Sequence, residues 1–175
     1  MSPPDLSRRS FLRGNVVTPK ETSPLRPPWA IKEKAFIEKC TRCDDCIQVC
    51  PEKILVQGDA GFPTVDFKRG ECTFCFECAK ACQTGALSQQ LAESSSKKRV
   101  ANAWQLDVRF NHKCLSMNAV VCRVCGECCD AEAINFKLKV GGISEPQIAL
   151  DDCTGCGACL SVCPVDAVDI SFSGS

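Results

Sequence analysis

Cysteine is the residue type here that can do chemistry, and it comes in four runs: Cys40, Cys43, Cys46, Cys50; Cys72, Cys75, Cys78, Cys82; Cys114, Cys122, Cys125, Cys129; and Cys153, Cys156, Cys159, Cys163. Sixteen of the seventeen cysteines are thereby placed. The first, second and fourth runs read CxxCxxCxxxC. With that spacing one tight loop presents three sulfurs to three corners of an iron–sulfur cube, the fourth sulfur coming from elsewhere. Backbone N–H groups of such a loop point at the inorganic sulfides, which a single CxxC could not arrange. The chemistry is electron handling on iron and sulfur.

Zinc is the competing metal. Its tetrahedral sites favour two separated CxxC pairs, and a third thiolate three residues further on has no use there. Disulfides are the other alternative, because a short secreted chain with about a tenth of its residues cysteine would suggest a bridged scaffold. The strict repetition of one spacing argues against it.

In two-cluster ferredoxins the last cysteine of one run ligates the cluster of the other. That logic assigns Cys40, Cys43, Cys46 and Cys82 to site one, and Cys72, Cys75, Cys78 and Cys50 to site two. It assigns Cys114, Cys122, Cys125 and Cys163 to site three, and Cys153, Cys156, Cys159 and Cys129 to site four. Four 4Fe-4S clusters are expected, held by iron on the same sixteen cysteines. Seven residues separate Cys114 from Cys122 where two are usual, so a five-residue loop intrudes at site three. Cys129, not the adjacent Cys128, keeps the three-residue spacing from Cys125, which leaves Cys128 as the spare thiol.

The positioning elements follow from an internal repeat. A shift of 79 carries Cys43, Cys46 and Cys50 onto Cys122, Cys125 and Cys129, and a shift of 81 carries the second run onto the fourth. Between the runs of each half lies a hairpin pattern. The first is Ile54 to Val56, a Gly58–Gly61 turn and Phe62 to Phe67; the second is Ile134 to Val140, Gly141–Gly142 and Ile143 to Leu150. Alternation of Trp104, Leu106, Val108 and Phe110 predicts a further strand. The expected fold is a small α+β one: a tandem duplication of a two-cluster, bacterial-ferredoxin-like unit organised by iron–sulfur clusters. The expected divisions are a basic, Pro-rich N-terminal arm over 1–28, a first half over 29–90, a linker over 91–102 and a second half over 103–175.

At 175 residues with no tyrosine and two tryptophans, the chain has little to build a core from, so clusters must replace part of it. Their binding free energy is folding free energy, and the iron-free chain is expected to be largely unstructured. Formal charge is zero, but sixteen thiolates and four cores of charge +2 bring the loaded protein to about −8. Nucleic acid is therefore not an expected partner. Residues 1–39 are basic, with eight Lys/Arg against four acids, and the prolines of residues 1–28 disfavour helix. No run of eighteen apolar residues exists, so no membrane span is expected. His112 is the only histidine and no acid/base or nucleophile constellation is visible, so the chain is not read as an enzyme.

Beyond the cysteines, the stretches SRRSFLRG (Ser7 to Gly14), RPPW (Arg26 to Trp29), CTRCDDC (Cys40 to Cys46) and AWQLDVRF (Ala103 to Phe110) occur in this order. With the Cys114/Cys122 spacing, this resembles the NapF family, the ferredoxin-type accessory proteins of bacterial periplasmic nitrate reductase systems. The resemblance implies a cytoplasmic protein with four 4Fe-4S clusters that binds the catalytic subunit of periplasmic nitrate reductase and assists its maturation before export. A plain electron carrier serving a terminal reductase is the alternative. The twin arginines look like a Tat export signal, but Arg13, Lys20 and Glu21 interrupt the apolar stretch such a signal needs. Arg8, Arg9 and Phe11 are instead the candidate partner-recognition residues, and the basic arm and RPPW are read as partner-specific features.

Overall fold

The computed structural model describes residues 24–92, 100, 103–104, 106–141 and 143–172. Arg8, Arg9 and Phe11, and most of the expected linker, lie outside the described residues. The first half runs helix Glu33–Lys39, helix Asp45–Gln48, strand β1 (Leu55–Gln57), strand β2 (Pro63–Val65) and helices Glu77–Ala81 and Gln89–Ala92. The second runs β3 (Leu106–Phe110), a 3-10 turn Ser116–Asn118, helix Val124–Glu127, β4 (Ile134–Leu138), β5 (Ser144–Ile148), helix Ala158–Ser161 and β6 (Val168–Phe172).

Three antiparallel two-stranded sheets result, β1–β2, β4–β5 and β3–β6. The two hairpins fall where the glycine turns place them, with Leu55 opposite Val65 and Ile134 opposite Ile148. The third sheet closes the second half, pairing Phe110 with Val168. Its counterpart in the first half is one isolated bridge, Ala30 with Leu87, related to that pair by shifts of 80 and 81. The ladder cannot grow there, because Pro27 and Pro28 have no N–H to donate and Trp29 takes a left-handed φ of 61°. Two-stranded sheets are marginal on their own in water, so packing and bound groups must hold them.

Arg26 to Trp29 are not a free partner-facing stretch: all four residues are buried. The Arg26 guanidinium meets Glu33 through Nη2 at 2.6 Å and Nε at 3.0 Å, and Nη1 donates to the Pro63 carbonyl at 3.3 Å. It also lies over the Phe36 and Phe62 rings, 5.0 and 5.2 Å from their centroids. Trp29 packs edge-on against Phe76. One residue earlier, the Leu25 carbonyl accepts from the Val65 amide at 2.8 Å. The first half thus begins packing at Leu25, inside the segment the sequence assigns to the arm. Proline there supplies a fixed backbone and apolar surface to bury, where the sequence reading took it for a mark of an unpacked segment.

The apolar core is unequally shared. Trp29, Phe36, Ile54, Phe67, Phe76 and Leu87 are buried in the first half, whereas the second buries Val108, Ala133, Ala158, Ala167 and Val168. Small side chains remove little area from water, at about 25 cal/mol per Å², so the second half leans more on whatever its thiols hold. The halves meet through Trp104, whose ring packs edge-on against Phe67 and Phe74 at 5.6 and 6.0 Å. Its Nε1–H donates to the Arg26 carbonyl at 3.0 Å.

Candidate metal centres

Each run is built the same way around a short helix. The third cysteine is the second residue of that helix, Cys46, Cys78, Cys125 and Cys159 in turn, and the fourth comes one or two residues after its end. The loop before the helix carries the unusual backbone. Arg42 and Asp44 flank Cys43 at φ 59° and 65°, Phe74 and Phe76 flank Cys75 at 53° and 78°, and Gly155 and Gly157 flank Cys156 at 71° and 85°. Left-handed residues alternating with right-handed or extended ones turn successive N–H groups to one side, the anion-binding nest found at phosphate and iron–sulfur sites. A non-glycine residue held in a sparsely populated conformation costs on the order of 1 kcal/mol or more. Four such residues in two loops mark a backbone shaped for what it binds.

Cysteines of two runs come together at three cavities. Cys40, Cys43, Cys46 and Cys82 line one cavity, Cys50, Cys72, Cys75 and Cys78 a second, and Cys114, Cys122, Cys125 and Cys163 a third. At the fourth position the thiol of Cys153 is raised by burial and by the neighbouring Cys156 and Cys129, and that of Cys159 by burial and by Cys156 and Cys153. The cavity at site one is roomier than those at sites two and three, about 270 Å³ against about 20 Å³ each. Among the described residues no three Cys, His, Asp or Glu side chains close on one point as a lone metal ion requires. Soft sulfurs from two runs lining one space, beside loops of left-handed backbone, fit a polynuclear iron–sulfur core.

Burial dominates the thiol acidities. It pushes Cys46 and Cys72 up to about 12, with neighbouring cysteines adding to the rise. Cys159 is likewise raised to about 12 and Cys125 to about 11, while Cys78, the most buried, is raised further. Without iron these five thiols are held protonated, whereas a sulfur that ligates iron does so as the thiolate. Some sulfurs also accept backbone hydrogen bonds that repeat between halves: Leu87 N–H to Cys82 Sγ at 3.3 Å and Ala167 N–H to Cys163 Sγ at 3.2 Å.

Two of the sites touch across the halves. The Cys72 amide donates to the Cys156 carbonyl at 2.8 Å, and Cys156 is among the thiols that raise Cys72. Cys46 of site one and Cys50 of site two both raise Cys78, and Cys125 of site three raises Cys159 of site four. The spatial order is therefore one, two, four, three. The spare Cys128 donates its S–H to the Cys125 carbonyl at 3.3 Å, and burial followed by Cys129 and Cys156 raises its pKa. His112 is exposed, and its carbonyl takes a hydrogen bond from Asn118.

Sequence reasoning missed the left-handed loop residues, because Arg42, Asp44, Phe74 and Phe76 carry no signal of positive φ. The glycines at the equivalent positions of the fourth run were the available clue.

Comparison with known proteins agrees with this geometry. Residues 39–86 and 120–167 each match the 4Fe-4S dicluster domain family. The chain is 40% identical over 168 residues to the ferredoxin-type protein NapF of Escherichia coli K12, covering 96% of both chains. It is 39% identical over 179 residues to NapF of Haemophilus influenzae, covering 98% of this chain and 97% of that one. The ferredoxin-type protein NapG of Escherichia coli K12 is 35% identical over 158 residues, 81% of this chain and 67% of its own.

Proposed function

The chain belongs to the NapF family of ferredoxin-type iron–sulfur proteins of nitrate reductase systems, and we propose that it holds four 4Fe-4S clusters and assists the catalytic subunit of periplasmic nitrate reductase in the cytoplasm before that subunit's export. The clusters would sit on the four thiol quartets, each with its last sulfur exchanged between the runs of one half. When bound, they supply one-electron chemistry and a form in which iron and sulfide can be handled together. The chain supplies the rest. Its cysteines give four thiolates per site, its left-handed loops turn N–H groups toward the core, and most of the sulfurs are part-buried, with Cys78 and Cys114 buried and Cys43 and Cys75 exposed. The carrying observation is the gathering of cysteines from two runs around one cavity beneath a nest-forming loop.

We place partner recognition in the N-terminal segment, with Arg8, Arg9 and Phe11 as its contacts; RPPW, being buried, belongs to the first half's core. The division into two cluster-bearing halves, 29–90 and 103–175, joined through 91–102, is part of the same proposal, with the first half extended back to Leu25. Anaerobic co-purification from cytoplasm with and without residues 1–23 tests the partner. Recovery of the catalytic subunit with the full chain alone supports the proposal, and equal recovery with both, or none with either, contradicts it.

A second reading, an electron carrier, is favoured by the Cys72–Cys156 hydrogen bond, which joins the two halves' sites into one series. Repeated reduction and reoxidation distinguishes them. A carrier keeps its iron through many cycles, whereas an assembly factor loses iron and sulfide to the iron-free catalytic subunit.

A further inference from the structure

The four loops are not equal, and the difference falls at site three. The positions matching Arg42 and Asp44 under the 79-residue shift are Val121 and Arg123. Neither is left-handed, Arg123 lying at φ −137°. Among the described residues the only left-handed one between Cys114 and Cys125 is Ala119, which sits inside the insert at φ 60°. The nest that sites one, two and four share is missing here.

The insert causes this. Its residues fold on themselves as the 3-10 turn Ser116–Asn118, tied back by Asn118 Nδ2 to the carbonyls of Cys114 at 2.8 Å and His112 at 2.9 Å. Ser116 Oγ donates to the Ser144 carbonyl on the neighbouring hairpin. The backbone therefore runs outward before returning to Cys122, and Val121 is left 96% exposed.

We propose, resting on the reading that the quartets hold 4Fe-4S clusters, that the site of Cys114, Cys122, Cys125 and Cys163 is the exchangeable one, releasing its cluster to an acceptor with free thiolates while the other three keep theirs. Two effects weaken the hold. Fewer inward N–H groups leave the negative core less stabilised. The span from Cys114 to Cys122 is eight residues where three are usual, and a closure cost growing as the three-halves power of length makes that chelate ring about fourfold harder to close. The exchange itself is ligand substitution without net oxidation. Each iron–thiolate bond broken here is replaced by one on the acceptor, whose sulfurs have lost their protons to solvent on becoming thiolates, and the four sulfurs left behind take protons from solvent. Cys122, next to the exposed Val121, is more open to an incoming thiolate than the buried Cys114.

Hold and access give opposite orders, which makes the inference testable. Site one has a far roomier cavity than site three and an exposed Cys43, so if access ruled, it would empty before site three. The iron-loaded chain is incubated anaerobically with excess of a synthetic peptide carrying a CxxCxxC run. Samples are quenched with iodoacetamide, and alkylated cysteines are mapped by mass spectrometry against iron remaining. Expected is alkylation of Cys114, Cys122, Cys125 and Cys163 together, at least tenfold faster than the other twelve and with loss of about a quarter of the iron. Any other quartet emptying first, or all sixteen cysteines together, overturns the inference. Deleting Leu115–Ala119 restores a two-residue spacing, Cys114-Val120-Val121-Cys122, and is expected to bring site three within about twofold of the others. A full-length chain that folds with the deletion yet still empties site three first would assign the lability to something other than the insert and overturn the stated cause. Iron at time zero separates the failures: a full complement with the wrong order sinks this inference alone, and a deficient one sinks the reading beneath it.

Discussion

Gly157 of the fourth run stands against the Phe67 ring of the first half, so close that an added Cβ would collide with Phe67 Cδ1, Cγ and Cε1. The same glycine sits at φ +85° beside Cys156, whose carbonyl accepts from Cys72. One residue thus serves the loop's backbone shape and the approach of the two halves.

Gly157→Ala is expected to suffer twice. A Cβ in the left-handed region costs about 1–2 kcal/mol, and overpacking adds about 1–3 kcal/mol. Thermal unfolding of the iron-loaded protein under argon should fall by several degrees. The double variant Phe67→Ala with Gly157→Ala relieves only the collision. The Phe67 cavity costs stability of its own, so the informative quantity is the coupling between the two changes, and additive effects would contradict the contact.

Arg26 is expected to matter for stability and not for the partner. Arg26→Met removes the paired contact with Glu33 and the stacking on Phe36 and Phe62. Because the Glu33 side chain is 41% exposed it can be resolvated, which holds the cost to about 2–3 kcal/mol, below that of a fully buried pair. Arg26→Lys should recover little, since a point charge cannot reproduce a planar fork. Urea midpoints measured on the iron-loaded chain check both.

The adjacent cysteines should separate cleanly. Cys128→Ala is expected to retain all the iron, because its thiol is occupied with the Cys125 carbonyl. Cys129→Ala should lose about four iron per chain, one cluster's worth. Equal iron in the two variants would contradict the assignment.

Loading should depend on pH with a definite sign. Cys46, Cys72 and Cys159 are raised from 9.0 to about 12 by burial, so the iron-free sites carry thiols, and cluster binding, which needs thiolates, releases protons. Reconstitution should therefore be more complete at pH 8.5 than at pH 6.5. For the minor fraction of iron-free chain that is folded the sign reverses. A raised thiol pKa contributes stability present below about 9, and that contribution is lost as pH climbs from there toward 12. Reconstitution yields that are flat with pH, or higher at the lower value, would count against neutral empty sites.

Much of the site could be read from cysteine spacing, because ligand geometry leaves few ways to arrange three sulfurs on one loop. The hairpins were legible from Gly58, Gly61 and Gly141, where a turn needs what glycine supplies. What escaped was context. Arg42, Asp44, Phe74 and Phe76 adopt left-handed backbone for reasons set by the loop around them, and no propensity announces it. Arg26 looked like a basic arm residue, since its burial depends on Glu33, Phe36 and Phe62 arriving from elsewhere in the chain. The prolines beside it pointed to disorder in isolation but supply packing surface once Trp29 is seated against Phe76.

The central claim is that thiols from paired runs hold four iron–sulfur cubes, and elemental analysis of the anaerobically purified chain tests it most directly. About sixteen iron and sixteen acid-labile sulfides per chain are predicted, four of each per cluster. Iron and sulfide well below that, or zinc in their place, would contradict the account.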